Sequence, residues 1–509
     1  MQINLLEYFE QGALSLFPNK TAIVDGDQTI TFSQLNDIAK RFATSIIKAS
    51  SITNAPIAVL LPKGIWGIAA DIGILMTGNC YMNIDIKSPE QRVMNILNNV
   101  KPALVITNFE IASFVQKLGV SQIIIIEKAI VSERDDGLIE SRQQRVIDKD
   151  PACIINTSGS TGVPKSVVMN HHSIIDFMDW LFGRFPLTGE ERIGSLSPFY
   201  FDIYTLELWY CLAKGATFFI IPEQLAMFPI RIIEFLQNNQ ISFIFWVPTI
   251  MVNVAAQKIF ATICPNSLKY ILFAGEVFPT KYFNYWRLYL PQARFVNLYG
   301  PIEITVDCTF YEIDREFSDE EALPIGFPCR NTDILILNQD DKLVNPGEVG
   351  ELCVRGSSLA MGYWNDEEKT AKAFVQNPLN KSYPELIYRT GDLVHTNERG
   401  EIMFDGRRDF QIKHQGYRIE LSEIEHVLIS KMDTIQNACV LYNYLKKEIT
   451  LFYTSDHEIS LVEIRKKVGE VLPKYMLPTA LRKLDSMPRN PNGKIDRQKL
   501  KEMMEKAKI

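Results

Sequence analysis

Helix-spaced apolar stretches and short β-branched runs take turns along most of residues 33–300 of this chain. A strand, a helix and a further strand of one sheet make a right-handed parallel crossover, so this rhythm admits an α/β fold and little else. In residues 33–49 the positions Leu35, Ile38, Ala39, Phe42, Ile46 and Ile47 keep helical spacing, and PIAVLLP at 56–62 reads as a strand. GIWGIAADIGILM and EQRVMNILNNV read as helices, ALVIT as a strand, FEIASFVQKLG as a helix and SQIIIIE at 121–127 as a strand. A polar stretch at 132–150 interrupts the pattern. It resumes with ATFFIIP, IRIIEFLQNNQ, SFIFWVP, TIMVNVAAQK, LKYILFAGE, TKYFNYWRLYLP and RFVNLYG. Two α/β sheet subdomains are expected side by side, and no short-period repeat points to a solenoid.

After Pro324 short strands with turn signals (DILILN, NPGEVGELCVRG, ERGEIMFDG) predict a small β-rich lobe. From Asp409 the character changes again: Ser422 and Glu425 form an S-x-x-E capping box opening LSEIEHVLISK, and a hairpin (NACVLYNYLKKEITLFYTS) and a second helix (ISLVEIRKKVGEVL) follow. The expected fold class is α/β, with a large N-terminal domain at 1–408 of two sheet subdomains plus the lobe. A small, mobile α+β C-terminal domain is expected at 409–509.

The 509 residues give room for large cores, and 53 Lys+Arg against 60 Asp+Glu leave a net charge of −7, which argues against a nucleic-acid partner. Eight cysteines, without a C-x-x-C pair, are expected as buried reduced thiols rather than a zinc site. The N-terminus MQINLLEYFEQG carries acids where a secretory signal carries bases, and no apolar run reaches the length of a membrane span. A cytoplasmic protein without a membrane partner is expected.

Chemistry concentrates in NTSGSTGVPKS at 156–166, directly after the strand-like ACII. Glycines let backbone N–H groups approach phosphate oxygens, hydroxyls donate further bonds and Lys165 supplies charge. It is not a Walker A loop, because Pro164 precedes Lys165 and the G-x-x-x-x-G-K-[ST] spacing is absent.

With ITFSQLN, LMTGNCYMNID, FDIYTLE, FAGEVFP, NLYGPIE, GELCVRG, YRTGDL, GRRDFQIKHQGYRIELSEIE and PNGKIDR in order around that loop, the chain resembles the adenylate-forming superfamily. Within it, the chain is similar to stand-alone amino-acid adenylation enzymes that load carrier proteins in nonribosomal peptide synthesis. The resemblance implies ATP and Mg²⁺. It implies nucleotide contacts from Thr157, Ser158, Gly159, Ser160, Thr161, Gly162 and Lys165, from Ala274, Gly275 and Glu276, and from Asn297, Leu298, Tyr299 and Gly300. Thr161 and Lys165 would act in catalysis, Tyr299 would offer a face to adenine, Glu303 a carboxylate to Mg²⁺, Asp392 a ribose anchor and Arg407 charge nearby. Lys494 resembles the family's catalytic lysine and Asp409 falls at its hinge, while the Gly416-Tyr417-Arg418 stretch would serve the second half-reaction. Two residues depart from the pattern: Ile302 stands where a threonine is usual, and Ser166 where a glycine is usual.

Asp202 in FDIYTLE matches the family's anchor for a substrate α-ammonium, a helix cap being the competing reading. By the same correspondence Ile203, Leu206, Phe245, Leu272, Ala274, Leu298, Val306 and Asp307, with Lys494, line the amino-acid site. An almost wholly apolar lining favours a small-to-medium apolar amino acid. The set looks closest to L-proline:prolyl-carrier-protein ligases of pyrrole or anatoxin-type pathways, and the overall texture is also similar to D-alanine:carrier-protein ligases. The same ATP motifs also suit an acyl-CoA synthetase or a catalytically silent nucleotide-binding relative. Fifteen residues follow Lys494 without a carrier domain, so a stand-alone carrier protein supplied in trans is expected, with Arg489, Lys494, Arg497 and Lys499 as a docking face or a solvated tail.

Overall fold

The computed structural model describes residues 2–159, 164–444, 446–489 and 495–506, so Ser160, Thr161, Gly162 and Lys494 lie outside the described residues. The chain divides into two compact units. One comprises Met1–Ile86, Lys101–Ile155 and Val167–Gly406, and the other Lys87–Val100, Asn156–Ser166 and Arg407–Ile509. This division differs from a single cut at 408/409: the short segments at 87–100 and 156–166 pack with the C-terminal residues, through hydrogen bonds between residues far apart in the chain that local periodicity does not encode.

In the first unit two large sheets carry the α/β pattern. One runs Phe327–Pro328, Thr309–Glu312, Arg294–Tyr299, Tyr270–Phe273, Phe243–Trp246, Arg192–Ser195, Thr217–Ile220, Thr21–Asp25 and Gln28–Thr31. The other runs Gly362–Tyr363, Lys165–Asn170, Pro151–Thr157, Cys80–Asn83, Pro56–Leu60, Leu104–Thr107 and Ile123–Ile125. A third sheet, built on Gly350–Gly356 and Leu386–Thr396, forms the β-rich lobe.

The central strands of the first sheet read as unbroken apolar runs because both faces are covered. Side chains alternate across them: Phe243 and Phe245 join the larger core, while Ile244 and Trp246 meet Ile233, Leu236 and Trp286 on the opposite face. The helix Phe32–Ala49 starts at a capping box in which Gln34 N–H donates to Thr31 Oγ1 (3.2 Å) and Thr31 N–H to Gln34 Oε1 (2.8 Å).

Three expectations change. The two subdomains are not consecutive halves, since Thr21–Asp25 pairs in parallel with Thr217–Ile220 (Ile23 opposite Phe218), a long-range match invisible to local spacing. The polar stretch at 132–150 contains a helix, Asp136–Gln143, capped by Asp135. And Ser422 with Glu425 makes no capping box. The helix Leu421–Lys431 has Glu420 at its cap position with no side-chain cap bond. Glu425 instead takes both oxygens to Arg497 (2.6 and 2.8 Å) and accepts the Val440 N–H, charge-assisted bonds that outcompete a neutral cap.

The second unit holds the hairpin Gln411–His414/Tyr417–Glu420 and a sheet of Asn437–Asn443, Glu448–Thr454 and Ala480–Lys483. The hairpin turn places Gln415 (φ 54°) and Gly416 (φ 81°) in the left-handed region, and Tyr417 stacks on Tyr475 at 3.5 Å. Seven of the eight cysteines are buried, Cys264 being half-buried. Among the described residues no helix is long and apolar enough to cross a membrane.

The N-terminal residues are tied down by His171, whose buried Nδ1 accepts the Leu5 N–H at 3.2 Å. Burial lowers this imidazole to about 4. The unfolded state then takes up a proton below its ordinary value of about 6.5 while the native state does not, so this group's stabilisation is complete above that pH and is lost as pH falls to about 4. Over that window it amounts to about 3 kcal/mol. The thermal midpoint should fall correspondingly between pH 6.5 and 4, and His171→Gln, which presents a neutral acceptor at every pH, should flatten the slope. An identical slope in wild type and variant would assign the acid sensitivity elsewhere.

Candidate active site

In the first unit the residues expected to line the amino-acid site gather on one face. Phe245 lies opposite Leu272 and Leu272 opposite Val296 in adjacent parallel strands, and Leu298 is two residues further along the same face. Against them packs the helix Asp202–Lys214, whose Ile203 and Leu206 belong to the same apolar cluster, together with Ala274 and Val306. Asp202 is the first helical residue; Phe201 occupies the cap position without a side-chain cap bond, and Asp202 Oδ1 accepts the neighbouring Ile203 N–H. A cap at Asp202 is therefore not what begins this helix. Asp202 is half-buried, whereas Asp307 is buried.

The turn at 300–307 folds back on itself tightly. A Cβ at Gly300 would stand 2.4 Å from the Asp307 Cα, so only glycine fits. Thr305 (φ 58°) and Val306 (φ 65°) are β-branched residues held in the left-handed region, a strained pair for which no sequence signal exists. Between them and Gly300, Glu303 is wholly buried and accepts the Tyr363 hydroxyl at 2.8 Å, while its carbonyl accepts the Ala360 N–H. Ile302 packs in the apolar cluster, where a hydroxyl would have to be desolvated.

Nearby in the same unit, the Tyr299 hydroxyl donates to the buried Asp392 carboxylate, whose own N–H donates to Thr390 Oγ1 at 3.0 Å. Burial and the Asp392 charge push the Tyr299 phenol well up. Asn297 is committed to the Pro324 carbonyl (2.7 Å), and Glu276 to the Thr249 N–H and hydroxyl. Gly275 sits at φ +92°, a conformation that L side chains rarely adopt.

In the second unit the ends of the Ser/Gly/Thr loop hold anions. Gly159 N–H donates to Glu423 (3.1 Å), Lys165 Nζ to Glu420 (3.1 Å), and Ser158 Oγ donates to the Arg418 carbonyl (2.7 Å) while accepting the Glu420 N–H. Burial pushes the Glu423 carboxyl up, against the pull of buried Arg92 at 3.0 Å. Ser166 donates to Asn156 Oδ1 (2.7 Å), so the residue that departs from the usual glycine closes the base of the loop. Arg407 grips Asp409 through two bonds of 2.6 and 2.7 Å. Arg497 is committed to Glu425 and stacks on Phe410, which removes it from the docking face. Sequence reasoning missed Arg92 and Tyr363, which carry no motif of their own; Glu420 and Glu423 stand inside a quoted motif, unassigned.

The sequence model of the AMP-binding enzyme family matches residues 10–364. The chain belongs to the AMP-binding enzyme family. It is 32% identical to tyrocidine synthase 1 of Brevibacillus parabrevis over 500 residues, 97% of this chain and 44% of that protein. It is 29% identical to zwittermicin A synthase ZmaJ of Bacillus cereus over 95% of this chain and 92% of that one. Its fold matches the Vibrio cholerae adenylation domain AlmE, solved with glycyl-adenosine-5'-phosphate, at a TM-score of 0.84, 21% identity, 99% of this chain and 98% of that one. The chain thus spans less than half the length of tyrocidine synthase 1.

Adenylation enzymes of the AMP-binding family use ATP with Mg²⁺. The residues present fit both. Within the second unit, the loop donors at Gly159 and Lys165 already hold carboxylate oxygens and the Thr157 hydroxyl is buried without a partner among the described residues, which suits phosphate oxygens. Within the first unit, taken by itself, Glu303 offers the hard oxygen that Mg²⁺ prefers.

Proposed function

We propose that this AMP-binding enzyme is an ATP-dependent amino-acid:carrier-protein ligase for a small-to-medium apolar amino acid, with L-proline the first candidate and D-alanine the second. The observation that carries the reading is the Asp202 carboxylate heading a helix whose inward residues Ile203 and Leu206 pack in an apolar cluster with Phe245, Leu272 and Leu298, Asp307 being the other acid among the expected lining residues. That combination suits an ammonium group on an apolar body, because a charged or amide side chain would find few partners there.

The substrate carboxylate attacks the α-phosphorus of ATP, the new acyl–phosphate bond forming as the bond to pyrophosphate breaks. Asp202 holds the ammonium, Asp392 and Tyr299 hold the nucleoside, and the loop from Thr157 to Lys165 holds phosphate oxygens. Mg²⁺, which Glu303 would hold, supplies charge neutralisation along the phosphates. Lys494 offsets the repulsion between the approaching carboxylate and phosphate anions. In the second step a phosphopantetheine thiolate attacks the acyl carbon and AMP leaves. Residues 409–509 turn about Asp409 between the steps, so that Lys494 withdraws and the Gly416-Tyr417-Arg418 hairpin takes its place.

Amino-acid-dependent ATP–pyrophosphate exchange, measured with L-proline, D-alanine, L-alanine, glycine and a fatty acid, tests the first step. Exchange with an apolar amino acid is expected; exchange with the fatty acid alone would make the chain an acyl activator, and silence with all of them would make it a nucleotide binder. Thioester formation on a holo carrier protein, compared with coenzyme A, tests the acceptor.

A further inference from the structure

Asp202 owes its position to a six-residue connection without regular structure, residues 196–201, between the end of the strand Arg192–Ser195 and the start of its helix. Such a loop would ordinarily be the least determined part of the site. Here polar groups clamp it from beneath. Lys63 Nζ donates to the carbonyls of Ser195 (2.8 Å) and Ser197 (3.0 Å), and lies 5.4 Å from the centre of the Phe199 ring. Phe199 stacks on Tyr204 of the helix (4.2 Å, 21°), and its carbonyl accepts from Asn83 at 3.4 Å. Tyr204 and Asn83 both donate to buried Asp71, at 2.8 and 2.9 Å. Ser195 Oγ donates to buried Glu207, one turn further along the helix, at 2.6 Å.

Apolar packing is not directional, and it would hold this loop without fixing where its carbonyls point. Burial disfavours the Lys63 ammonium, bringing it down to about 8 against the opposing pull of Glu207, and burial brings the Glu207 carboxyl up to about 8. Groups this costly to bury are kept in one register by bonds that a hydrophobic residue could not make.

We propose that Lys63 is a positioning residue for amino-acid recognition: by holding the Ser195 and Ser197 carbonyls it fixes the loop that aims Asp202 at the substrate ammonium. The inference rests on the amino-acid-activating reading given above. Lys63 touches no reacting atom, so its effect is on substrate fit rather than on the nucleotide.

The test is saturation kinetics of pyrophosphate exchange in each substrate for wild type, Lys63→Met, Lys63→Arg and Lys63→Gln. Lys63→Met should raise the amino-acid KM on the order of ten-fold while the ATP KM stays within about two-fold, since a displaced anchor affects only the group it holds. Lys63→Arg, which keeps a cation with several donors, should recover most of the loss. Should Lys63→Met lack a cooperative thermal transition, Lys63→Gln, which keeps an amide N–H donor, should raise the amino-acid KM selectively, by a smaller factor. An unchanged amino-acid KM, or equal rises in both KM values, overturns the proposal while leaving the functional reading intact. A wild-type protein that exchanges with no amino acid overturns both together.

Discussion

Asp202→Ala is expected to lower amino-acid-dependent kcat/KM by about 10²–10³-fold while leaving ATP binding within about two-fold. The size follows from the loss of one charge-assisted contact in a partly dry site, on the order of 3–4 kcal/mol, at about 1.4 kcal/mol per decade. The competing role is that of an acid in the first turn of a helix, favoured there by the helix dipole. Removing such an acid would cost about 0.3–1 kcal/mol of stability and would not touch substrate affinity. The two roles thus move different observables, one the amino-acid dependence of exchange and the other the thermal midpoint. Asp202→Glu sharpens the contrast, because it keeps the first-turn charge yet displaces the carboxylate by one methylene, and it should still lose most of the activity. Unaltered substrate dependence in Asp202→Ala would take the anchor away from this residue and with it the apolar wall as the amino-acid site.

How far the sequence carries depends on whether a feature is local. The strands at 243–246 and 270–273 were legible because burial on both faces leaves an unbroken β-branched or aromatic run, and the helix at 32–49 because one apolar stripe repeats every three to four residues. What escaped was pairing over distance. That Ile23 lies opposite Phe218, or that Glu425 prefers Arg497 to a cap, depends on residues nearly two hundred and about seventy positions away. The candidate site divides along the same line. Its residues were legible as motifs, since glycines, hydroxyls and charges cluster in short stretches. The support beneath them was not: Lys63 falls between the strand-like PIAVLLP and the helix-like GIWGIAADIGILM and belongs to neither, and Thr305 and Val306 adopt a backbone conformation that β-branched residues ordinarily avoid. A positive φ at such residues is imposed by the surrounding turn, where Gly300 has no room for a side chain.

Lys494→Ala is expected to reduce pyrophosphate exchange by about 10²–10³-fold, the usual effect of deleting one group that meets developing charge in a transition state. Lys494 lies outside the described residues, so its role is argued from the reaction and from the PNGKIDR motif alone. Two anions meet when a carboxylate approaches the α-phosphorus, and a cation placed at that encounter lowers the barrier without binding either ground state much more tightly. The loss should therefore appear in kcat, with the KM values for ATP and amino acid little changed. The second half-reaction supplies the discriminating control. Attack of a thiolate on a carbonyl carbon expels AMP and brings no second phosphate-bound anion to the centre, so Lys494→Ala given a preformed aminoacyl-adenylate should load carrier protein at close to the wild-type rate. Loss of both half-reactions would mark Lys494 as structural. Retention of full exchange would falsify the assignment, and the charge compensation would then have to come from Lys165, the other lysine that the family resemblance places at the phosphates, which is already engaged with a carboxylate at 3.1 Å.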